Sequence, residues 1–136
     1  MILTVTLNPS IDVSYPLEHL DIDTINRTTD VRKTAGGKGL NVSRVIHQLN
    51  HDITATGFIG GYFGQWLQHQ LDIEGIKHDF MTIYAETRSS IAILHDSGNQ
   101  TEILEAGPML SQDDADRFLT HFDTLLAYAD LVTISG

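Results

Sequence analysis

An α/β fold, with a parallel sheet covered by helices on both faces and a small β flap beside it, is what this sequence predicts. Three observations carry that expectation. Short apolar or alternating segments take turns with segments of period 3.6, the strand–helix–strand order that a parallel sheet requires. The first segment, Ile2-Leu3-Thr4-Val5-Thr6-Leu7, is rich in β-branched residues, as a buried strand is. Two stretches, about 10–35 and 88–106, break the rhythm with half-polar alternation, the mark of strands wet on one face.

Taken in order, residues 2–7 are the first core strand, and Ile11, Val13, Tyr15 and Leu17 alternate along the first flap piece. A helix follows Gly36-Gly37, with Val42, Val45, Ile46 and Leu49 at the spacing of one apolar stripe. Residues 53–59 form a second core strand that ends at Gly60-Gly61. The next helix carries Phe63, Trp66, Leu67 and Leu71 on one side, Trp66 being expected in the core, and Gly75 suits its carboxyl cap. Residues 78–84 make a third strand. A hairpin over 88–95 and 100–106 turns through Asp96-Ser97-Gly98-Asn99. Ser111 with Asp114 signals a capping box, ahead of an apolar stripe that includes Phe118, Leu119, Phe122 and Leu126. Leu131 to Ser135 supplies the last strand. Both flap pieces are expected to pair antiparallel. Residues 1–136 read as one domain, and the ending on a strand's carboxyl edge reads as the amino-terminal part of a longer one.

Composition narrows the function. Acidic residues number 18 against 8 basic, a formal charge of −10, the wrong sign for nucleic acid or an anionic membrane surface. An anionic ligand must therefore be held by locally placed Lys and Arg. With no cysteine there is no thiolate metal site and no Cys nucleophile. The amino terminus has no basic stretch or cleavage site of a signal peptide, and no apolar run approaches the ~20 residues of a membrane span. A cytoplasmic protein is the expectation.

The sharpest chemistry lies in Ala35-Gly36-Gly37-Lys38-Gly39-Leu40-Asn41-Val42, which opens a helix. Glycines let the backbone approach a ligand, and a helix amino terminus offers free N–H groups to a polar or anionic one. The spacing is that of neither a Walker A loop nor a dinucleotide fingerprint. Asp21-Ile22-Asp23-Thr24 lacks the buried strand that an aspartyl-phosphate motif needs. His47 and His51, four apart, have no third ligand in sequence, so no metal site is expected.

Four stretches in register carry a resemblance: Thr6-Leu7-Asn8-Pro9-Ser10-Ile11-Asp12, the Gly-Gly-Lys-Gly-Leu-Asn run, Gly57-Phe58-Ile59-Gly60-Gly61 with Gly64, and Glu86-Thr87-Arg88. Together they resemble the phosphofructokinase-B branch of the ribokinase-like carbohydrate kinases. Within that branch, Lys33-Thr34-Ala35, the run from Ser89 to His95 and the run from Gln100 to Glu105 are most similar to the tagatose-6-phosphate kinases. The resemblance implies transfer from ATP, with Mg2+, to a small-molecule sugar phosphate. It implies that Asp12 accepts hydrogen bonds from sugar hydroxyls, that Gly37, Lys38 and Asn41 line the same pocket, and that Arg27 and Arg88 hold the substrate phosphate. Arg32 is expected to be an ordinary exposed charge. The catalytic aspartate of the family sits in a Gly-Ala-Gly-Asp turn that these residues lack, so no catalytic residue is expected here and the isolated chain should be inactive. A homodimer through the flap is implied for the full-length protein. Two alternatives stay open: a 1-phosphofructokinase, and a non-catalytic sugar-phosphate-binding fragment.

Overall fold

A computed structural model describes residues 1–136. In chain order the elements are β1 (Ile2–Thr6), β2 (Ser10–Pro16), β3 (Arg32–Gly36), α1 (Lys38–Gln48), β4 (Ile53–Gly60) and α2 (Gly61–Ile73). They continue with β5 (Met81–Ile83), β6 (Arg88–His95), β7 (Asn99–Leu104), α3 (Gln112–Leu126) and β8 (Leu131–Ile134). The main sheet has the order β5-β4-β1-β8, and every pairing in it is parallel. No helix is long and apolar enough to cross a membrane.

Alternation along β1 divides the core. Leu3 and Val5 point to one side, where they meet Phe58, Met81, Ile83 and Phe118 of α3. Thr4 and Thr6, also buried, point to the other, where α1 and α2 pack over Leu40, Ile53, Ala55, Leu67 and Leu71. A buried threonine there needs a partner. Thr4 has one, its hydroxyl lying 2.6 Å from that of Ser43 on α1.

The expected apolar stripe of α1 is rotated. Gly39, Leu40 and Ser43 face the sheet, while Val45 and Leu49 are 55% and 64% exposed. The buried face is displaced by one residue, roughly 100° round the helix. The cause is at the helix start: a Cβ on Gly39 would lie 2.2 Å from Thr6 Oγ1 and 2.8 Å from the Val5 carbonyl, so this face is pressed onto the sheet. On α2 the buried line is Gly64, Leu67 and Leu71, and Trp66 is only half-buried rather than core. On α3 the capping box forms as expected, but Leu119 is 59% exposed. The third strand is shorter than 78–84: true ladder pairing spans only Met81–Ile83, with a single bridge from His78 to Ala55.

The flap is a separate four-stranded sheet in the order β3-β2-β6-β7. Its two hairpins are antiparallel, but β2 joins β6 in parallel, from Ser10 opposite Arg88 to Pro16 opposite Leu94. The wholly antiparallel arrangement expected from sequence is thus corrected. Both strands leave the carboxyl edge of the main sheet, β2 directly after β1 and β6 after β5, so they run the same way. The β6–β7 turn places Asp96 and Ser97 at φ 47° and 58°, the positive pair that a tight hairpin favours.

Gly57 offers a test of the main sheet. Its φ is +152°, and a Cβ there would sit 1.9 Å from the carbonyl oxygen of Thr6, its register partner on β1. Gly57→Ala is expected to destabilise by roughly 1–3 kcal/mol or more, through backbone strain and overpacking together. Urea unfolding of the full-length variant measures it.

Candidate functional site

The carboxyl edge of β1 runs through Leu7, Asn8 and Pro9 straight into the flap. Against this corner the glycine run packs closely: a Cβ on Gly37, whose φ is +125°, would come 2.7 Å from Thr6 Cγ2. Helix α1 begins here with no side-chain cap and no acidic residue in its first turn. The other two helices are closed at the same end. Glu86 accepts from the N–H of Phe63 (2.6 Å) and of Tyr62 (3.3 Å) at the start of α2, and Ser111 with Asp114 caps α3. Only α1 therefore leaves its positive end free for a ligand.

Asp12 stands on β2 beside this opening. The buried Ser10 hydroxyl, 1% exposed, donates to Asp12 Oδ1 at 2.6 Å. The carboxylate lies over Gly36, where any Cβ would come within 2.2 Å of its atoms. Register then places three rows on this face of the flap: Arg88, Ser10 and Gly36; Ser90, Asp12 and Thr34; Ala92, Ser14 and Arg32. A cavity of about 210 Å³ is lined by Asp12, Ser14, Thr34, Ser90, Arg32 and Glu102 among others. Hydroxyl groups around a fixed carboxylate suit a polyhydroxylated ligand.

Arg88 sits at the foot of the flap, half-buried. Its Nε donates to the Asn8 carbonyl (3.3 Å) and its Nη1 to the Glu105 carbonyl (3.1 Å), neutral acceptors that fix the side chain without cancelling its charge. The Glu105 carboxylate is engaged by the N–H and hydroxyl of Ser89 at 2.8 and 2.7 Å. Those bonds, with the Arg88 charge a smaller cause, hold its carboxyl below the ordinary 4.5. Lys38 reaches the Gly136 carbonyl at 3.4 Å, and Asn41 turns its carbonyl to Arg44 Nη1 at 3.0 Å. Arg27 is exposed on the segment between β2 and β3 and does not line the Asp12 cavity.

Of the 8 Lys and Arg, Arg44, Lys77 and Arg117 pair with carboxylates. The unpaired ones are Arg27, Arg32, Lys33, Lys38 and Arg88, all on the flap segments or the first turn of α1. The structure brings Asp12, the glycine run and Arg88, all singled out from sequence, to this corner, together with Ser10, which was not; Arg32 is exposed as expected and lines the Asp12 cavity. Ser10 was within reach, since period 2 puts it on the face of Asp12. The places of Thr34, Ser90 and Arg32 depend on strand pairing and were not.

The segment carrying Arg27 is held to the flap tip. Asp96 bridges two imidazoles, meeting His19 Nδ1 through Oδ1 and His95 Nδ1 through Oδ2 (2.6 Å), while its N–H donates to the Glu18 carbonyl at 3.1 Å. The hydrogen bond and charge of Asp96 raise His19 above its ordinary 6.5. His19 and His95 in turn lower Asp96 below 3.8, chiefly by hydrogen bonding.

Fold and site together define a ligand-binding α/β domain with a β flap over the carboxyl edge of its sheet. The chain belongs to the pfkB family of carbohydrate kinases, whose model matches residues 5–136. Among solved structures it is similar to a possible 1-phosphofructokinase from Thermotoga maritima, at 35% identity and a TM-score of 0.92, over 100% of this chain and 44% of that one. It is similar also to phosphofructokinase-2 from Escherichia coli in complex with fructose-6-phosphate, at 28% identity and TM-score 0.86, over 99% of this chain and 45% of that one. Ribokinase from Giardia lamblia shares the fold at 18% identity and TM-score 0.77, over 98% of this chain and 44% of that one. The chain thus spans less than half the length of these structures.

The His19–Asp96 clasp sets a pH window for the Arg27 segment. Because His19 is raised from 6.5, its share of the clasp is complete below that value and is lost as pH rises through the raised one. Because Asp96 is lowered from 3.8, its share is complete above that value and is lost as pH falls through the lowered one. NMR titration should give His19 an apparent pKa above 6.5, and Asp96→Asn should bring it down.

Proposed function

We propose that the full-length protein phosphorylates tagatose 6-phosphate at its C1 hydroxyl, giving the 1,6-bisphosphate, and that this chain carries the sugar-phosphate side of the site. The supporting observation is the Asp12 carboxylate, fixed by Ser10 over Gly36 in a cavity whose polar lining includes the hydroxyls of Ser14, Thr34 and Ser90. Membership of a carbohydrate kinase family gives the reaction class. The stretches around Lys33, Ser89 and Gln100 favour the tagatose substrate. A 1-phosphofructokinase is the second reading, favoured by the 35%-identical relative described as a possible 1-phosphofructokinase.

In this reading Asp12 accepts hydrogen bonds from sugar hydroxyls and so orients the acceptor. Gly37 lets the backbone close on the sugar, and Lys38 and Asn41 line the pocket from the first turn of α1. Arg88, with Arg27, takes the remote phosphate, for which a guanidinium offers paired donors. ATP and Mg2+ are the expected co-substrate and metal. The residues here do not fit a metal site: no three His, Asp or Glu side chains converge. The base, the nucleotide and the metal are accordingly assigned to the part of the relatives' length that this chain does not span. A homodimer would form through the flap, where Ile103 and Leu104 of the free edge strand β7 are 58% and 56% exposed.

Steady-state kinetics of the full-length protein against tagatose 6-phosphate and fructose 1-phosphate decides between the sugars by the larger kcat/KM. Arg88→Ala should raise KM about ten- to a hundredfold, the worth of a charge-assisted contact of ~1.5–3 kcal/mol, with kcat little changed. Asp12→Ala should lower kcat as well, because it misplaces the attacking hydroxyl. The 136-residue chain alone should release no ADP in a coupled assay; sugar-dependent turnover near ~1–100 per second would place the catalytic base within it.

A further inference from the structure

Arg44 lies on α1 one turn beyond Asn41, and Glu74 neutralises it, so its part beside the site is one of geometry rather than charge. Its Nε donates to Glu74 Oε2 at 2.6 Å and its Nη2 to Oε1 at 3.0 Å, the paired contact that fixes the plane of a guanidinium. Nη2 also donates to the carbonyl of Ala35, immediately before Gly36-Gly37. Nη1, the other terminal nitrogen, donates to Asn41 Oδ1 at 3.0 Å. Arg44 and Glu74 are both half-buried. Local helix physics does not account for Glu74, which stands at the carboxyl cap of α2, where the helix dipole disfavours a carboxylate. Nor does the tie between α1 and α2 need Asn41, which lies on the same helix as Arg44.

A guanidinium only donates, so the amide atom of Asn41 that faces Arg44 is its oxygen. The amide nitrogen is then turned away from Arg44, on a side chain exposed at the open end of α1. From this arrangement we propose that Arg44 is a positioning residue, which locks Asn41 so that it meets the ligand as a hydrogen-bond donor. The inference rests on the sugar-phosphate reading and deepens it, since it states which chemistry Asn41 recognises. The group read there is an oxygen that offers its lone pairs, such as that of a sugar hydroxyl or carbonyl. The Asp12 carboxylate, which accepts, is the complement, and a polyol serves both because each hydroxyl donates and accepts. Without Arg44 the terminal torsion of Asn41 is broad and two-fold, so the amide presents either atom and part of the contact is lost.

The test is a double-mutant cycle in the full-length protein, with Arg44→Lys and Asn41→Ala singly and together, read as kcat/KM for tagatose 6-phosphate. Lysine keeps a charge for Glu74 but lacks the planar fork that reaches Asn41 as well. Arg44→Lys should lower kcat/KM about two- to tenfold, the worth of one neutral hydrogen bond, and should cost nothing further once Asn41 is replaced. Asn41→Asp keeps the shape and the pairing with Arg44 but puts an acceptor where the donor was, and should lose at least as much as Asn41→Ala. Because it alters an exposed side chain alone, it can refute the proposal even where thermal unfolding shows that Arg44→Lys does not fold. If Arg44→Lys leaves kcat/KM unchanged, or lowers it by the same factor in both backgrounds, Arg44 serves structure alone and the proposal fails. It fails too if Asn41→Asp keeps the wild-type kcat/KM, for the ligand then donates at that position. In these cases the sugar-phosphate reading stands so long as Asp12→Asn impairs turnover. A wild-type protein that turns over neither tagatose 6-phosphate nor fructose 1-phosphate, and binds neither by calorimetry, overturns the reading and the proposal together.

Discussion

The contact between the start of α1 and the end of β1 fixes most of what matters in this molecule. Gly37 and Gly39 allow it, because any side chain at either would run into Thr6 or the Val5 carbonyl. Once α1 is seated there, its rotation is set, Leu40 and Ser43 turn inward, and Ser43 meets the Thr4 hydroxyl. The same seating leads β3 into the corner, so that Gly36 lies beneath the Asp12 carboxylate. The helix end is left open for a reason of economy in space: a Ser or Asp at the capping position would need room that Thr6 and Pro9 already fill.

Charge is distributed to match. A body of net charge −10 repels a phosphate at long range, but screening confines that repulsion to ~8 Å at physiological ionic strength. Inside that distance the local arrangement decides. The cations of α2's surroundings, of the sheet's far edge and of α3 are spent on carboxylates, as Arg44–Glu74, Lys77–Asp52 and Arg117–Asp114 show. Those of the flap and the first turn of α1 are not.

Much of this was legible in sequence, and the failures have physical causes. Strand and helix order, the flap, the capping box and the place of the glycine run follow from periodicity and local chemistry, which act within a few residues. The rotation of α1 did not, since Val42, Val45, Ile46 and Leu49 satisfy the helical spacing as well as the true face does. The deciding contact, Gly39 on Thr6, is between residues 33 positions apart. The parallel junction of β2 and β6 was likewise hidden, being made by strands whose paired residues lie 78 apart, Ser10 with Arg88. That junction assembles the polar face, so Asp12 stood out from its motif whereas the neighbourhood of Ser90 and Arg32 needed the structure.

The two arginines assigned to the phosphate differ in what they must give up to bind it. Arg88 is already fixed by the Asn8 and Glu105 carbonyls, which leaves its second terminal nitrogen to engage an anion with little further loss of freedom. Arg27 is exposed, on a segment secured at the Asp21–Asn26 turn, at Thr28 to the Pro16 carbonyl, and by the His19–Asp96 clasp. Ordering such a side chain on binding costs about 0.5–1.5 kcal/mol, which offsets much of a single charged contact. The clasp limits that cost by holding the backbone in place before the ligand arrives. On the proposed phosphate assignment, preorganisation would therefore rank Arg88 above Arg27 in affinity, and would make the contribution of Arg27, unlike that of Arg88, depend on the charge states of His19 and Asp96.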